Sequence, residues 1–211
     1  MSDIETLRVF STRSEADIAV ARLAADGIVS AVRVDDEGGL NPGFYRSYGV
    51  RVVVASTDLE DAFESLGIER LALPEEVADA MFKHSGWAYP NEACGLVAFD
   101  DFGDARGVLC LTNADQSPDR FTIAPTEHHG ALRFAESMGW TIGGVFHSHP
   151  RSEAIPSPLD IAGGADPDWV HLIVGPVSGP KRLLRAYRIV DGVASEVSVS
   201  VVAYTPPDGA I

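Results

Sequence analysis

Two histidines separated by one residue close an apolar run in Val145-Phe146-His147-Ser148-His149-Pro150, and an acid, Asp160, follows after a Pro-rich turn. Successive side chains of a strand point to opposite faces, so His147 and His149 project from one face and can share a metal ion. Pro150 is expected to end the strand, and Asp160, in the first turn of the next helix, then supplies an oxygen. Two imidazoles and one carboxylate leave a fourth tetrahedral position open. That is the arrangement of a catalytic zinc, whereas a structural zinc closes its shell. Imidazole is a poor ligand for a hard, oxygen-seeking ion such as magnesium, which favours Zn2+. Hydrolysis at such an ion needs a base to take a proton from water and an acid to return it to the leaving amine. Glu92, in Tyr89-Pro90-Asn91-Glu92-Ala93-Cys94-Gly95-Leu96, stands at the mouth of a second apolar strand, where a carboxylate can point into a pocket. Spacing alone does not tie it to the histidines.

Each piece has a plainer reading. Ser157-Pro158-Leu159-Asp160 is close to a helix capping box with Pro at the first helical position. A lone His-x-His is more often a pair of half-exposed sheet residues, and Glu92 alone is an ordinary carboxylate at a strand entry. Cys94 lacks a histidine to activate it and reads as a small buried hydrophobe. His128-His129 reads as solvated surface, and His84 and His171 as structural.

In combination these residues are specific. Glu92, His147, His149, Ser157 and Asp160 fall in order, with H-x-H-x(7)-S-x-x-D at fixed spacing, and this pattern resembles the JAMM (MPN-plus) metalloprotease family. Pro90-x-Glu92-x-Cys94-Gly95-Leu96 is similar to its small bacterial branch. The resemblance implies an α+β, cytidine-deaminase-like JAMM domain with a mixed sheet and flanking helices. It implies that His147, His149 and Asp160 bind Zn2+, that Glu92 is general base and acid, and that the Ser157 hydroxyl stabilises an oxyanion. It further implies cleavage of a peptide or isopeptide bond beside the C-terminal tail of a ubiquitin-like or sulfur-carrier β-grasp protein. Larger members grip ubiquitin through two loop insertions, whereas the segments 161–169 and 100–107 are short here. Short loops suit an enzyme that trims an extended Gly-Gly tail laid beside the metal as an added strand. The rival reading is a non-catalytic JAMM-like scaffold or sensor module that binds a protein partner. Such a module normally goes with lost ligands, and none is missing. A DNA-repair-associated relative carries Asn between the histidines, where this chain has Ser148.

The elements that must position these residues fall into two groups. Residues 1–69 read as a small α+β binding or regulatory domain. Leu7–Phe10, Ile28–Val34 and Val50–Val54 are its strands, one helix opens at Ser14, another spans Leu59–Leu66, and Asp35–Tyr48 is a long loop. This unit weakly resembles a DUF2007-type putative signal-transducing domain. A boundary is expected between Gly67 and Pro74. Residues 73–205 then read as the metalloprotease domain. A helix starts at Pro74, strands cover Ala93–Phe99, Arg106–Asn113 and Phe121–Ile123, and a helix runs from Pro125 to Met138. The strand Thr141–His147, a short helix Pro158–Ala162, and strands at Val170–Val174, Arg182–Ile189 and Val197–Val202 follow.

Composition sets the outer bounds. With 45% hydrophobic and 22% charged residues, the 211-residue chain can bury a core. A net charge of -15 repels a phosphate backbone and an anionic membrane surface, so neither nucleic acid nor a membrane is the expected partner. Two isolated cysteines form no disulfide framework, which fits reduced thiols in a cytoplasm. Nothing in the pattern excludes a homodimer.

Overall fold

The computed structural model describes residues 3–10, 12–34, 50–164, 166–178 and 183–203. The chain divides into two compact units, Met1–Arg70 and Leu71–Ile211. The loop expected at Asp35–Tyr48 lies outside the described residues. Among those described, no helix is long and apolar enough to cross a membrane.

In the first unit, β1 (Ile4–Phe10), β2 (Ser30–Val34) and β3 (Val50–Ala55) form an antiparallel sheet in the order β1-β3-β2. Alternate residues of these strands turn Leu7, Val52 and Val54 inward against α1 (Arg13–Ala25) and α2 (Leu59–Leu66), whose Leu23 and Phe63 complete the core. The first helix starts earlier than Ser14. Thr12 is its N-cap: the Thr12 hydroxyl accepts from the Glu15 amide at 3.2 Å, and the Glu15 carboxylate accepts from the Thr12 amide at 3.0 Å. A capping box spaced at three residues outcompetes the Ser14 start because it satisfies two orphan donors at once.

The second unit is built on a seven-stranded mixed sheet in the order β4-β10-β9-β8-β7-β5-β6. Its strands are β4 (Arg70–Pro74), β5 (Cys94–Phe99), β6 (Ala105–Leu111), β7 (Thr141–Ser148), β8 (Val170–Gly175), β9 (Leu183–Val190) and β10 (Val193–Val202). Strand β4 falls where a boundary was expected, between Gly67 and Pro74. Its burial alternates, with Leu71 and Leu73 facing the core, but five residues ending in proline give little strand signal. Conversely, Phe121–Ile123 forms only one isolated bridge, Ile123 to Asn113, instead of a strand. The helix expected from Pro74 is α3 (Glu75–Ala88).

The sheet has a helix on each face. Phe146, Leu172, Val174 and Ala186 point to one side, where Val77, Ala78 and Met81 of α3 cover them. Leu96, Ala98 and Ile142 point to the other, against Ala131 and Ala135 of α4 (Pro125–Ser137). A register irregularity where β5 meets β7, between Val97 and Ala98, realigns the two strands. It lets Ile142 and His147 share the second face although their numbers differ by an odd step. Strands β7 and β8 pair in parallel, joined by a crossover that contains α5 (Pro158–Gly163). The close approach of β7 to its neighbours requires Gly144, where a Cβ would meet the Val170 carbonyl oxygen at 2.7 Å and Val170 Cγ1 at 2.8 Å. Gly144→Ala should therefore destabilise the protein by about 1–3 kcal/mol, read from urea unfolding, because neither backbone can retreat.

Candidate metal centre

The end of β7, the strand-entry segment before β5 and the first turn of α5 meet at one point. His147 is the penultimate residue of β7 and 1% exposed. The strand closes at Ser148, one residue short of His149. His149 nonetheless stays extended, because its amide donates to the Val174 carbonyl at 2.7 Å and its own carbonyl accepts from Val177. The two imidazoles thus keep a common side, with Nε2 of His147 and Nε2 of His149 3.1 Å apart.

Asp160 faces both rings. One carboxylate oxygen lies 3.3 Å from His147 Nε2 and the other 3.4 Å from His149 Nε2. The capping box of α5 holds it there. The Asp160 amide donates to Ser157 Oγ at 3.2 Å, and the Ser157 amide donates to an Asp160 oxygen at 2.6 Å. The cap thus fixes the carboxylate beside the two imidazoles. One ligand atom from each of His147, His149 and Asp160 lies within 4.8 Å of the other two.

The donor chemistry fits zinc. His149 Nδ1 is 2.7 Å from the Glu153 carbonyl. A carbonyl only accepts, so Nδ1 carries the proton and Nε2 presents its lone pair inward. Two inward-facing nitrogens this close, beside a carboxylate, require a proton or a cation between them. Burial alone would raise the Asp160 carboxyl, but hydrogen bonds from His147 and His149 outweigh it and hold Asp160 well below the usual carboxylate range. Burial drives His147 down despite Asp160. His149 is raised, since Asp160 and the Glu153 carbonyl overcome its burial.

Glu92 is 4% exposed, within electrostatic reach of His149 and Asp160. Burial pushes its carboxyl up to about 8; nearby His149 opposes this, while Asp160 and Asp119 add to it. Its backbone is pinned on both sides. The Glu92 amide donates to the Ser117 carbonyl at 2.8 Å, and the Glu92 carbonyl accepts from Asn113 Nδ2 at 3.0 Å. The next residue, Ala93, donates its amide to Ser148 Oγ at 2.9 Å and accepts from the Ser148 amide at 3.0 Å. Ser148 thus clasps the segment carrying Glu92 to the strand carrying the histidines. Phe121 stacks on His147 with centroids 4.8 Å apart.

Sequence reasoning passed over Ser148, Asn113 and Phe121 as parts of the site. Alternation marks Ser148 as facing away from its histidine neighbours, but nothing in a single sequence pairs it with Ala93. Cys94, opposite His147 in the β5–β7 register, is fully buried, and burial pushes its thiol up to about 12. His84 bonds the Leu111 carbonyl through Nε2 at 3.1 Å.

Residues 74–190 match the model of the prokaryotic homologs of the JAB domain. The chain is 32% identical over 133 residues to a CysO-cysteine peptidase of Mycobacterium tuberculosis, covering 63% of this chain and 91% of that protein. It is 34% identical over 115 residues to a desampylase of Haloferax volcanii, covering 51% of this chain and 81% of that one. A solution structure from Desulfitobacterium hafniense superposes with a TM-score of 0.59 at 31% identity, covering 64% of this chain and 95% of that chain.

The raised Glu92 carboxyl has a consequence for stability. What the neutral acid contributes is fully present below about 4.5 and is lost as pH rises through about 8. For the metal-free protein, Glu92→Gln should match wild type below the first value and exceed it above the second. Urea unfolding across that window checks this, and a constant gap between the two proteins would refute it.

Proposed function

The chain belongs to the prokaryotic homologs of the JAB domain, and from that premise we propose that it is a zinc-dependent peptidase or isopeptidase acting in the cytoplasm. Its substrate is an amide bond at the C-terminal tail of a ubiquitin-like or sulfur-carrier β-grasp protein. The observation that carries this reading is the convergence of His147, His149 and Asp160 on one point, with the buried Glu92 carboxyl in their electrostatic reach. The relatives named CysO-cysteine peptidase and desampylase support the choice of substrate class.

His147 and His149 through Nε2, and Asp160 through a carboxylate oxygen, would hold the ion. When bound, zinc supplies Lewis acidity at the scissile carbonyl and at the attacking water. Glu92 takes the proton from that water and delivers it to the departing amine nitrogen. A carboxyl poised near neutrality suits both transfers, because a base far below the working pH would hold the proton too weakly to pass it on usefully. The Ser157 oxygen accepts the Asp160 amide, which leaves its O–H to donate to the oxygen that gains charge at the tetrahedral stage. Asn113 and Ser148 fix the backbone on either side of Glu92. Residues 1–69 form, in this proposal, a separate binding or regulatory domain preceding the catalytic residues 73–205.

Metal analysis and turnover of a carrier–amino-acid adduct, followed by mass spectrometry, test the assignment together. Wild type should hold about one zinc per chain. Glu92→Ala should keep the zinc and lose activity by roughly 100- to 10,000-fold. His147→Ala should lose both. Turnover of the Glu92 variant near the wild-type rate would overturn the mechanism, and a wild-type protein that binds no zinc would leave the scaffold reading in its place.

A further inference from the structure

Residues 119–121 run past both the proposed acid–base group and a candidate ligand. Asn113 Nδ2 donates at 3.0 Å to the carbonyls of Glu92 and of Arg120, which sets the two backbones side by side. Asp119 adds to the upward push on the Glu92 carboxyl, and Phe121 stacks on His147. Arg120 borders a pocket of about 410 Å³ that His147 and Asp160 also line. Among the described residues lining it, Arg120 is the only Lys or Arg, in a chain of net charge -15. His171 of β8, the register partner of Val145, lines it too, but burial drives its imidazole down and it brings no charge. Asp160 and Asp166 are the acids of the lining and repel an anion, so a carboxylate entering here has one place to settle.

The Arg120 guanidinium is available for that role. Its side chain is 66% exposed, and its ion pair among the described residues, to Asp115, spans 3.6 Å from Nε, longer than a hydrogen bond. An exposed pair of that kind contributes little. Asp115 is not stranded when Arg120 turns away, since it also accepts from the Thr122 hydroxyl at 2.8 Å. The planar fork of an arginine grips a carboxylate through two N–H groups at once. An α-amino acid joined to a carrier tail through its own nitrogen bears such a carboxylate, separated from that nitrogen by the α-carbon alone. The nitrogen must come to Glu92 to be protonated, so whatever binds the carboxylate must stand near Glu92, as residue 120 does. A lysine joined through its side chain brings no carboxylate there. We propose that Arg120 binds the free α-carboxylate of the released amino acid, so that the centre prefers a tail ending in one α-linked amino acid to a tail joined to a lysine side chain. This rests on the peptidase reading, but the binding itself is measurable without turnover.

The test uses the full-length, zinc-loaded protein and a β-grasp carrier whose Gly-Gly tail is extended by one alanine, made once with a free C-terminal carboxylate and once as the carboxamide. A third carrier is joined to the side-chain nitrogen of a lysine within a peptide. In wild type, kcat/KM for the carboxylate should exceed that for the carboxamide and for the lysine conjugate by roughly tenfold or more. Arg120→Gln should bring carboxylate and carboxamide within about twofold of each other by lowering the first, with zinc content unchanged, and Arg120→Lys should restore part of the preference. Binding of the first two carriers to the zinc-loaded Glu92→Ala protein, with and without Arg120→Gln, is measured alongside by calorimetry. The carboxylate should bind more tightly, and only while Arg120 is present. Equal kcat/KM for carboxylate and carboxamide in wild type would overturn the proposal, as would an Arg120→Gln loss shared equally by both. If no carrier is cleaved, the proposed function falls and calorimetry decides: a carboxylate preference that depends on Arg120 upholds its role, and equal binding removes it.

Discussion

A carboxylate held between two imidazole nitrogens inside a protein is unfavourable to build, and the second unit is organised around doing so. Asp160 sits about equally far from both Nε2 atoms, and the nitrogens sit closer to each other than either does to the carboxylate. Three electron-rich atoms do not remain so close in a low-dielectric setting unless something positive lies among them. Protons can serve, and the depressed Asp160 and raised His149 carboxyl and imidazole equilibria express that. A divalent cation serves better, because it can accept a lone pair from all three at once and needs no proton to stay. The structural question is what prevents the cluster from relaxing by simply moving apart.

The answer lies in backbone restraints. His147 is inside the β-ladder, opposite Cys94 on one side and Ile173 on the other. His149 is past the strand end but is caught by the amide and carbonyl bonds to Val174 and Val177. Gly175 permits this: a Cβ there would lie 2.7 Å from the Ser152 carbonyl oxygen and 3.1 Å from His149 Cβ. Asp160 is locked by the cap of its own helix. Each ligand is thus fixed by hydrogen bonds that do not depend on the ion, which is the preorganisation a metal site needs if binding is not to be spent on folding it.

Local rules made the clustering of His147, His149 and Asp160 legible in the sequence. Strand alternation placed His147 and His149 together, and Ser157-Pro158 announced a helix start with Asp160 in its first turn. What alternation could not reveal was anything that depends on contacts remote in sequence. Ser148 and Ala93 are 55 residues apart and their bond is invisible in the chain. The same holds for the stacking of Phe121 on His147 and for His171, which reads as an ordinary strand histidine until β8 is set beside β7. The misplacements were local conflicts. The sequence pointed to Ser14 as the helix start, whereas the capping box with Glu15 puts the N-cap at Thr12. Arg70–Pro74 lay inside the expected boundary because its proline and short length hide an edge strand.

Asn113 saturates its side chain in a way that joins separate parts of the site. Its amide nitrogen donates to the carbonyls of both Glu92 and Arg120, and its oxygen accepts from the amides of Asp115 and Thr122. The segment bearing Phe121 is therefore welded to the segment bearing Glu92. A flap that carries Phe121 and swings independently of Glu92 is incompatible with that weld. Whatever enters beside Phe121 therefore meets a wall already held in place, so this side of the centre is preorganised.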